Sequence, residues 1–261
     1  MGIVGSLYIN GKRIVDLSAD FRLKDYLTYE KWYETRHREK DLLKEAVYGL
    51  PELNKDKIKK ARLIANPGCY STAVILALAP LLKNNLVKED DIIVDAKSGV
   101  SGAGRNLSLK THFPEINENF YAYEVEGHRH IPEMEQELSI LAQKKVKITF
   151  IPHLIPVNRG ILATCYALLK QPLTTDNFLQ IYKDFYKKEP FIDILDKGQF
   201  PQIKEVTNSN RCRLGLMVDK EKRRLLIISA VDNLVKGAAG QAVQNMNIMC
   251  GYDEKMGLEG E

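Results

Sequence analysis

Apolar stretches in the first hundred residues have the lengths expected of strands and of one helix. The run "AVILALAPLL" predicts a helix from about Ser71 to Lys83, with a kink at Pro80. The segment before it, "ARLIANPGC", predicts a strand that ends in a turn. "RIVDLSADF" predicts another buried strand, and "DIIVDAKSGVSGAGR" predicts a strand that enters a glycine-rich loop. This order of strands and helix predicts an α/β arrangement with some parallel pairing.

The second half of the chain has a different pattern, in which apolar and polar residues alternate. Alternation runs through "KVKITFIPHLIP", "GILATCYALL" and "CRLGLMVDKEKRRLLIISAVDN", and "VDKEKRR" predicts a hairpin connection. Two helices, "PEMEQELSILAQK" and "DNFLQIYKDFYKK", interrupt these strands, and a last helix follows in "NLVKGAAGQAVQNMNIMCG". The pattern predicts an antiparallel or mixed sheet with helices on one face.

Composition narrows the class of protein. The chain has 261 residues, 44% of them hydrophobic and 28% charged, with a net charge of +4, so it can bury a sizeable core. Basic residues are mixed with acidic ones, which argues against a nucleic-acid surface, and no apolar run reaches the roughly 18 residues of a membrane helix. The four cysteines are far apart, without a C-x-x-C pair. We therefore expect no disulfide scaffold and a reduced, cytoplasmic location.

Cys69 is the first candidate for chemistry, because it follows a Pro-Gly turn and precedes the apolar helix. A helix N-terminus offers unpaired N–H groups and partial positive charge, which favour a thiolate and lower a thiol pKa. The residues alone leave two interpretations open: a reactive nucleophile or a buried structural thiol. Cys165 and Cys250 fit a structural role better.

His128 and His130 lie together in "EGHRHIPEMEQEL", on an extended segment that leads into a helix at Pro132. A Cys/His pair is the favoured interpretation, because a nucleophilic thiol needs a base. Two surface histidines, or a metal site, are the alternatives. We predict no metal, because the H-x-H pattern lacks a third ligand.

A glycine-rich loop and two arginines are further candidates. "SGVSGAGR", from Ser98 to Arg105, can turn several N–H groups toward an anion, or it is an ordinary flexible loop. Its glycines do not match the dinucleotide or P-loop patterns. Arg22 and Arg159 stand in apolar or turn-forming sequence, where an arginine either binds phosphate or carboxylate or forms an internal ion pair.

Several long motifs resemble the N-acetyl-γ-glutamyl-phosphate reductase family of arginine biosynthesis and follow in that family's order. They are "VDLSADFRL", "YGLPELN", "ANPGCYST", "VDAKSGVSGAGR", "THFPEINEN", "EGHRHIPE", "HLIPVNRGILAT" and "DNLVKGAAGQAVQNMN". The resemblance implies an α/β and α+β fold, with a Rossmann-type dinucleotide-binding domain and a glyceraldehyde-phosphate-dehydrogenase-like catalytic domain. It also implies a small-molecule substrate and a homo-oligomer. Aspartate-semialdehyde dehydrogenase and the aminoadipate reductase of the carrier-protein lysine route share the same chemistry.

The resemblance also implies a reaction and a role for each matching residue. Cys69 would attack N-acetyl-γ-glutamyl phosphate, and NADPH would reduce the thioester to N-acetylglutamate 5-semialdehyde. His130 would be the acid/base and His128 would orient the substrate, or the reverse. The implied substrate-binding residues are Arg22, Asn66, Ser101, Arg105 and Arg159, and the residues implied to lie beside the cofactor are Ser98, Gly99, Asn233 and Gly237.

The N-terminus departs from the family pattern. The stretch "MGIVGSLYINGK" has glycines but no predicted helix behind them, and the resemblance begins near "RIVDLSADF". We therefore expect residues 1–67 plus 234–261 to form a partial NADP-binding domain, and residues 68–233 to form the catalytic domain. This leaves alternatives to the reductase: a remnant that is non-enzymatic or deficient in cofactor binding, a thiol hydrolase of acyl phosphates or esters, or a reductase of carrier-bound aminoadipate.

Overall fold

The computed structural model describes residues 1–104, 106 and 108–259, and it contains two sheets. The smaller sheet comes from the N-terminal part of the chain and is parallel, in the order β1-β3-β2. Its strands are β1 (Ile14–Asp16), β2 (Ala46–Tyr48) and β3 (Leu63–Ala65). The helices around it are α1 (Gly2–Ile9), α2 (Tyr26–Tyr33) and α3 (Pro51–Ile58).

The larger sheet has seven strands in the order β5-β6-β4-β7-β10-β9-β8 and mixes parallel with antiparallel pairs. Its strands are β4 (Val87–Gly99), β5 (Tyr121–Ala122), β6 (Ile148–Ile155), β7 (Ile161–Leu169), β8 (Ile192–Ile194), β9 (Cys212–Asp219) and β10 (Arg224–Val231). The predicted hairpin is confirmed, because β9 and β10 pair antiparallel from Asp219 and Arg224 onward. The mixed sheet predicted from the alternating pattern is also confirmed.

Helices cover one face of this sheet. They are α4 (Cys69–Lys83), α6 (Ile131–Ala142) and α7 (Thr175–Tyr186). A short helix, α5 (Phe113–Ile116), lies in the connection after β4, and α8 (Gly240–Cys250) ends the fold. Directly before α8, residues Val235–Ala239 form one π-helical turn, so the last predicted helix begins in a wider geometry than expected.

The central helix α4 is buried along almost its whole length and begins at Cys69, two residues before the predicted start. It continues through Pro80 to Lys83. Proline lacks an N–H, so it leaves the carbonyl four residues earlier, at Leu76, without its helical partner. Tyr186 Oη of α7 donates to that carbonyl at 2.6 Å. The neighbouring helix therefore satisfies the acceptor that the proline leaves free.

Helix α1 corrects the prediction that the N-terminal stretch holds no helix. Its N-terminal ammonium bonds Asp20 at 2.8 Å, and Val4 and Tyr8 pack on the buried cluster around Ile14 and Phe21. Ile3 and Ile9 of the same helix are exposed, at 78% and 86%. Because apolar residues lie on both faces, the helix shows no amphipathic period in the sequence.

Candidate active site

Cys69 is the first residue of α4, and Gly68 before it is the N-cap. Gly68 has extended backbone angles that any residue can adopt, so its backbone conformation does not require a glycine. The lack of space for a side chain does. A Cβ on Gly68 would overlap His130 Nε2. The imidazole of His130 therefore lies directly against the backbone that presents the thiol.

A cavity of 220 Å³ brings most of the predicted site residues together. Its lining comes from the loop after β1, from the start of α4 and the residues just before it, from the loop after β4, from the N-cap of α6, and from the segment between β10 and α8. The predicted residues in this lining are Arg22, Asn66, Cys69, Ser101, His130, Asn233 and Gly237. The motifs that were far apart in sequence thus meet at one place.

Burial opposes ionisation of both candidate reacting groups. It raises the pKa of the Cys69 thiol to about 11, although the Tyr70 backbone N–H and the charge of Arg22 act in the opposite direction. Burial, and secondarily the Arg22 charge, lowers the pKa of His130 to about 3. The expectation of a lowered thiol pKa is therefore wrong for the ligand-free protein, because desolvation outweighs the helix N-terminus. Near neutral pH the thiol and the imidazole are both uncharged.

His128 lies behind His130 and does not line the cavity. The residue is 7% exposed, and its ring centroid is 4.8 Å from that of His130. His128 Nδ1 accepts from the His130 backbone N–H at 3.1 Å. Tyr70 and Phe150 pack edge-on against its ring, and this packing fixes its position.

Arg22 enters the site from the loop after β1, but its guanidinium is already engaged. Nε donates to Asn66 O at 2.7 Å and Nη2 donates to Leu17 O at 2.9 Å. Nη1 lies 3.5 Å from a carboxylate oxygen of Glu133. These contacts hold the cation beside Cys69 in a defined orientation.

Asn66 lines the cavity with an amide that is held on both sides. Its Nδ2 donates to Ala238 O at 3.0 Å, and its Oδ1 accepts from Asn245 Nδ2 at 3.1 Å. These bonds tie the start of α4 to α8 and to the π-helical turn. The residue thus fixes the approach of the C-terminal segment to Cys69.

The glycine-rich segment after β4 forms a short 3₁₀ turn over Val100–Ala103. Ser101 Oγ donates to Asn158 O at 2.6 Å and accepts from Asn233 Nδ2 at 2.9 Å. Asn233 Oδ1 accepts from Gly160 N–H at 2.7 Å, so Ser101 and Asn233 join three loops around the cavity.

Ser98 and Gly99, the two other residues predicted beside the cofactor in this segment, lie away from the cavity lining. Ser98 is buried, with its Oγ donating to Gly99 O at 3.0 Å, and Gly99 N–H donates to Gly160 O at 2.9 Å. Neither residue lines the cavity beside Cys69. Arg105 lies outside the described residues.

Arg159 faces a different part of the surface from Cys69. Its Nη1 donates to Asn208 Oδ1 at 2.7 Å and lies 3.8 Å from Asp232 Oδ2. The side chain is 40% exposed and lines a separate cavity of 630 Å³ together with Ile203 and Lys204. The structure therefore does not bring Arg159 into the Cys69 cavity.

Gly237 approaches the nucleophile most closely from the C-terminal segment. A Cβ on Gly237 would lie 2.7 Å from Cys69 Cβ and 3.2 Å from the Asp232 carbonyl oxygen. Both distances are shorter than normal contacts. A side chain at this position therefore has to displace either the thiol or the π-helical turn.

Gly237→Ala is expected to lower activity about 100-fold through misplacement of the thiol, and to lower the free energy of unfolding by about 1–3 kcal/mol. Urea unfolding and the rate of Cys69 alkylation measure the two effects. Gly2→Ala is the matched control, because a Cβ on Gly2 meets nothing within 4 Å. Equal behaviour of the two variants would contradict the close approach.

Three residues of the site were missed by sequence reasoning. Glu133 is 1% exposed and accepts from Gly68 N–H, while Tyr48 donates to the same carboxylate. Asp232 is fully buried and accepts from the N–H groups of Leu234 and Val235, where the π-helical turn begins. A signal existed for Glu133, which occupies the third helical position of α6. A glutamate there usually turns back to its own N-cap, so its real partner could not be predicted.

In the part of the chain that the structure describes, no group of three or more His, Cys, Asp or Glu residues could hold a metal ion. Over the same residues, the helices fall short of the length and apolar character needed to cross a membrane.

Comparison with known families matches the chain in two segments. Residues 1–61 match the model described as "Semialdehyde dehydrogenase, NAD binding domain", and residues 69–233 match "Semialdehyde dehydrogenase, dimerisation domain". The first match begins at residue 1, so the expectation that the resemblance starts near "RIVDLSADF" is wrong. The NAD-binding match supports a nicotinamide cofactor.

Curated relatives and solved structures agree with this result. The N-acetyl-gamma-glutamyl-phosphate reductase of Pelotomaculum thermopropionicum is 57% identical over 96% of the chain and 72% of its own length. That of Geobacter sulfurreducens is 53% identical over 100% of the chain and 75% of its own length.

The crystal structure of aspartate semialdehyde dehydrogenase II from Vibrio cholerae matches the fold with a TM-score of 0.71 at 18% identity, over 96% of this chain and 77% of that one. The expected α/β and α+β fold is therefore confirmed. The identity to the curated relatives, which extends over nearly the whole chain, decides the family. The chain belongs to the N-acetyl-γ-glutamyl-phosphate reductase family of oxidoreductases.

Proposed function

We propose that this chain reduces N-acetyl-γ-glutamyl phosphate to N-acetylglutamate 5-semialdehyde with NADPH, through a thioester on Cys69. The observation that carries the proposal is the placement of Cys69 at the start of α4, with His130 against the preceding Gly68 in the same cavity. Nucleophile, base and cation in one cavity are what acyl transfer requires. The names of the curated relatives supply the substrate.

Cys69 and His130 carry the covalent step. Sγ attacks the acyl carbon, its proton passes to His130, and the acyl carbon–oxygen bond breaks as phosphate leaves with the electron pair. In the ligand-free protein, burial keeps both groups neutral. An acyl phosphate in the cavity adds negative charge beside the imidazole, and this charge favours the imidazolium that the step creates. His128 holds the His130 backbone in place.

Substrate contacts fall to groups around the cavity. Arg22 is the cation beside Cys69, so we assign it to the phosphate or to a substrate carboxylate. Asn66 and Ser101 are assigned to the acyl group, and their own hydrogen bonds hold them in place. Arg159 lies in the separate cavity, which Asn158 also lines. We assign it to a substrate carboxylate only for a substrate that extends from the Cys69 cavity along the loop of Asn158.

We assign the nicotinamide end of the cofactor to the C-terminal wall of the cavity, where Asn233 and Gly237 line it beside Cys69. Gly237 already lies against Cys69, so the ring has to lie beside this contact and not between the two residues. Asn233, Gly237 and, beneath them, Ser98 and Gly99 would hold this end of the cofactor. When bound there, reduced nicotinamide supplies the hydride. We assign residues 1–67 plus 234–261 to the partial NADP-binding domain and residues 68–233 to the catalytic domain.

The reverse reaction tests the proposal. The protein is mixed with N-acetylglutamate 5-semialdehyde, phosphate and NADP⁺, and the absorbance of NADPH is followed. We expect NADPH to form beyond one equivalent per Cys69 only when phosphate is present, because phosphate must release the acyl group from Cys69 before the next turnover. The absence of any phosphate-dependent signal, while Cys69 still reacts with iodoacetamide, would support a remnant deficient in cofactor binding.

Two further arms separate the remaining alternatives. Loss of acyl phosphate without NADPH oxidation in the forward direction would indicate a hydrolase. Faster turnover with a carrier-bound aminoadipate semialdehyde would indicate the lysine route. We expect neither result. The four free cysteines are consistent with a reaction that takes place in the cytoplasm.

We also propose a homo-oligomer that forms through the open face of the large sheet. Across this face, Ile93, Tyr166, Leu226 and Met217 are paired side by side on neighbouring strands. Ile93 and Met217 are 38% and 40% exposed, so this apolar row faces solvent in a single chain. The dimerisation-domain description of the matched family model supports a second copy as its partner.

Leu226→Asp, at the centre of the apolar row, is expected to convert the oligomer to monomers, because a buried carboxylate without a partner is costly. Sedimentation velocity gives the result. Leu27→Asp places the same charge on α2, where Leu27 is 60% exposed, and should keep the oligomer. An unaltered sedimentation coefficient for Leu226→Asp would exclude this face.

A further inference from the structure

The nucleophile turn is held by a carboxylate from another helix. Glu133 Oε1 accepts from Gly68 N–H at 2.8 Å. Gly68 is the N-cap of α4 and has no side chain, so it cannot form a capping box of its own. A glutamate at the third helical position usually accepts from the N-cap N–H of its own helix. Glu133, at the third position of α6, accepts from the N-cap N–H of α4 instead.

Tyr48 fixes this carboxylate from a third element. Its Oη, at the end of β2, donates to the same Glu133 Oε1 at 2.7 Å. Glu133 Oε2 has no hydrogen-bond partner among the described residues and lies 3.5 Å from Arg22 Nη1. One oxygen therefore holds the turn, and the other faces the cation of the site.

The two charged side chains near Cys69 have opposite effects on the pKa of its thiol. Burial is the main cause that raises the pKa of the thiol, Arg22 lowers it, and Glu133 raises it. The titratable groups packed around this set come from the loop after β1, from α2, β2 and α4, and from α6 with its N-cap. They are Arg22, Tyr33, Tyr48, Tyr70, His128, His130 and Glu137.

We propose that Glu133, held by Tyr48, is a positioning residue for Cys69: it fixes the turn that presents the thiol and balances the charge of Arg22. This inference rests on the proposed role of Cys69 as the nucleophile. It gives the Tyr48–Glu133 pair two separable effects, one on charge and one on geometry. The charge adds to the effect of burial in raising the pKa of Cys69, and the hydrogen bonds keep the thiol in place.

The charge effect is tested by alkylation of Cys69 with iodoacetamide as a function of pH, followed by mass spectrometry of the Cys69 peptide. Glu133→Gln keeps an oxygen that accepts from Gly68 N–H but loses the charge. We expect the midpoint of its alkylation profile to fall by about one pH unit. Glu137→Gln is the matched control on the same helix, 6% exposed and bonded to Gln136, and its midpoint should equal that of the unaltered protein.

The geometric effect is tested with Tyr48→Phe, which keeps the charge and removes one donor to Glu133. We expect kcat to fall about tenfold, with KM nearly unchanged and the alkylation midpoint in place. Tyr182→Phe removes an equally buried hydroxyl that bonds Ala77 O, away from the site, and should keep kcat. If Glu133→Gln does not fold, Tyr48→Phe still decides the geometric effect.

The outcomes are distinct from those of the proposed function. Alkylation requires neither substrate nor cofactor, so a protein without reductase activity still reports the charge effect. Equal midpoints for Glu133→Gln, Glu137→Gln and the unaltered protein would overturn the charge effect. Equal kcat values for Tyr48→Phe and Tyr182→Phe would overturn the geometric effect.

Discussion

Cys69→Ser is expected to reduce phosphate-dependent NADP⁺ reduction by roughly 10⁴-fold or more, as removal of a catalytic nucleophile usually does. A serine hydroxyl titrates far above neutral pH, and the desolvation that raises the thiol pKa at this position would raise its pKa further. The oxygen ester it could form is also a poorer hydride acceptor than a thioester. The rate of NADPH formation in the reverse reaction measures the loss.

Cys250→Ser is the matched control for this variant. Cys250 is an exposed free cysteine at the end of α8, and its replacement should leave the rate unchanged. Cys165 and Cys212 are unsuitable as controls, because both are fully buried in the core of the large sheet and their replacement also tests packing. If Cys69→Ser retained more than about a hundredth of the rate, the thioester mechanism would be wrong.

Lys236→Met is expected to lower the free energy of unfolding by about 3–5 kcal/mol, the usual effect of removing one partner of a buried ion pair. Lys236 Nζ bonds Glu52 Oε1 at 2.5 Å and Gln244 Oε1 at 2.8 Å, and both charged side chains are fully buried. Without the lysine, the Glu52 carboxylate remains buried without a counter-charge. Such a loss is a large part of the 5–15 kcal/mol that typically stabilises a domain.

Urea unfolding measures this effect, with two companion variants. Lys55→Met removes a lysine that pairs with Glu189 and Glu254 but is 26% exposed, and it should cost about 1 kcal/mol or less. Combining Lys236→Met with Glu52→Leu removes both charges and should recover most of the loss. A Lys236→Met variant no less stable than Lys55→Met would show that the buried pair contributes little.

The sequence motifs predicted the residues of the site better than the pattern of apolar and polar residues predicted the fold around them. The residues that meet at the cavity, among them Cys69, His130 and Asn233, stand in motifs whose chemistry can be read locally. Glu133 could not be assigned in this way, because its partner Gly68 belongs to another helix. The thiol pKa was predicted in the wrong direction for a related reason, since burial depends on what packs over the helix start. The roles of these residues stay predictions until the variants are measured.

The fold shows the same division between local and distant information. The β9–β10 hairpin was predictable from its turn residues, and its two strands were predictable from alternation. The position of β4 between a parallel and an antiparallel neighbour depends on pairing with β6 and β7, which come much later in the chain. Helix α1 was not predicted because its buried face consists of only three residues, Val4, Gly5 and Tyr8.

The cavity beside Cys69 is closed by residues that the ribosome adds late. Asn233, Leu234, Gly237 and Ala238 form its C-terminal wall, while Cys69 and α4 lie in the first third of the chain. At roughly 5–20 residues per second, the new α4 waits on the order of ten seconds for this wall. During that time α6, β4 and β7 can already cover α4, but the thiol lacks the C-terminal wall of its cavity. The site around Cys69 is therefore complete only after the segment before the last helix has been made.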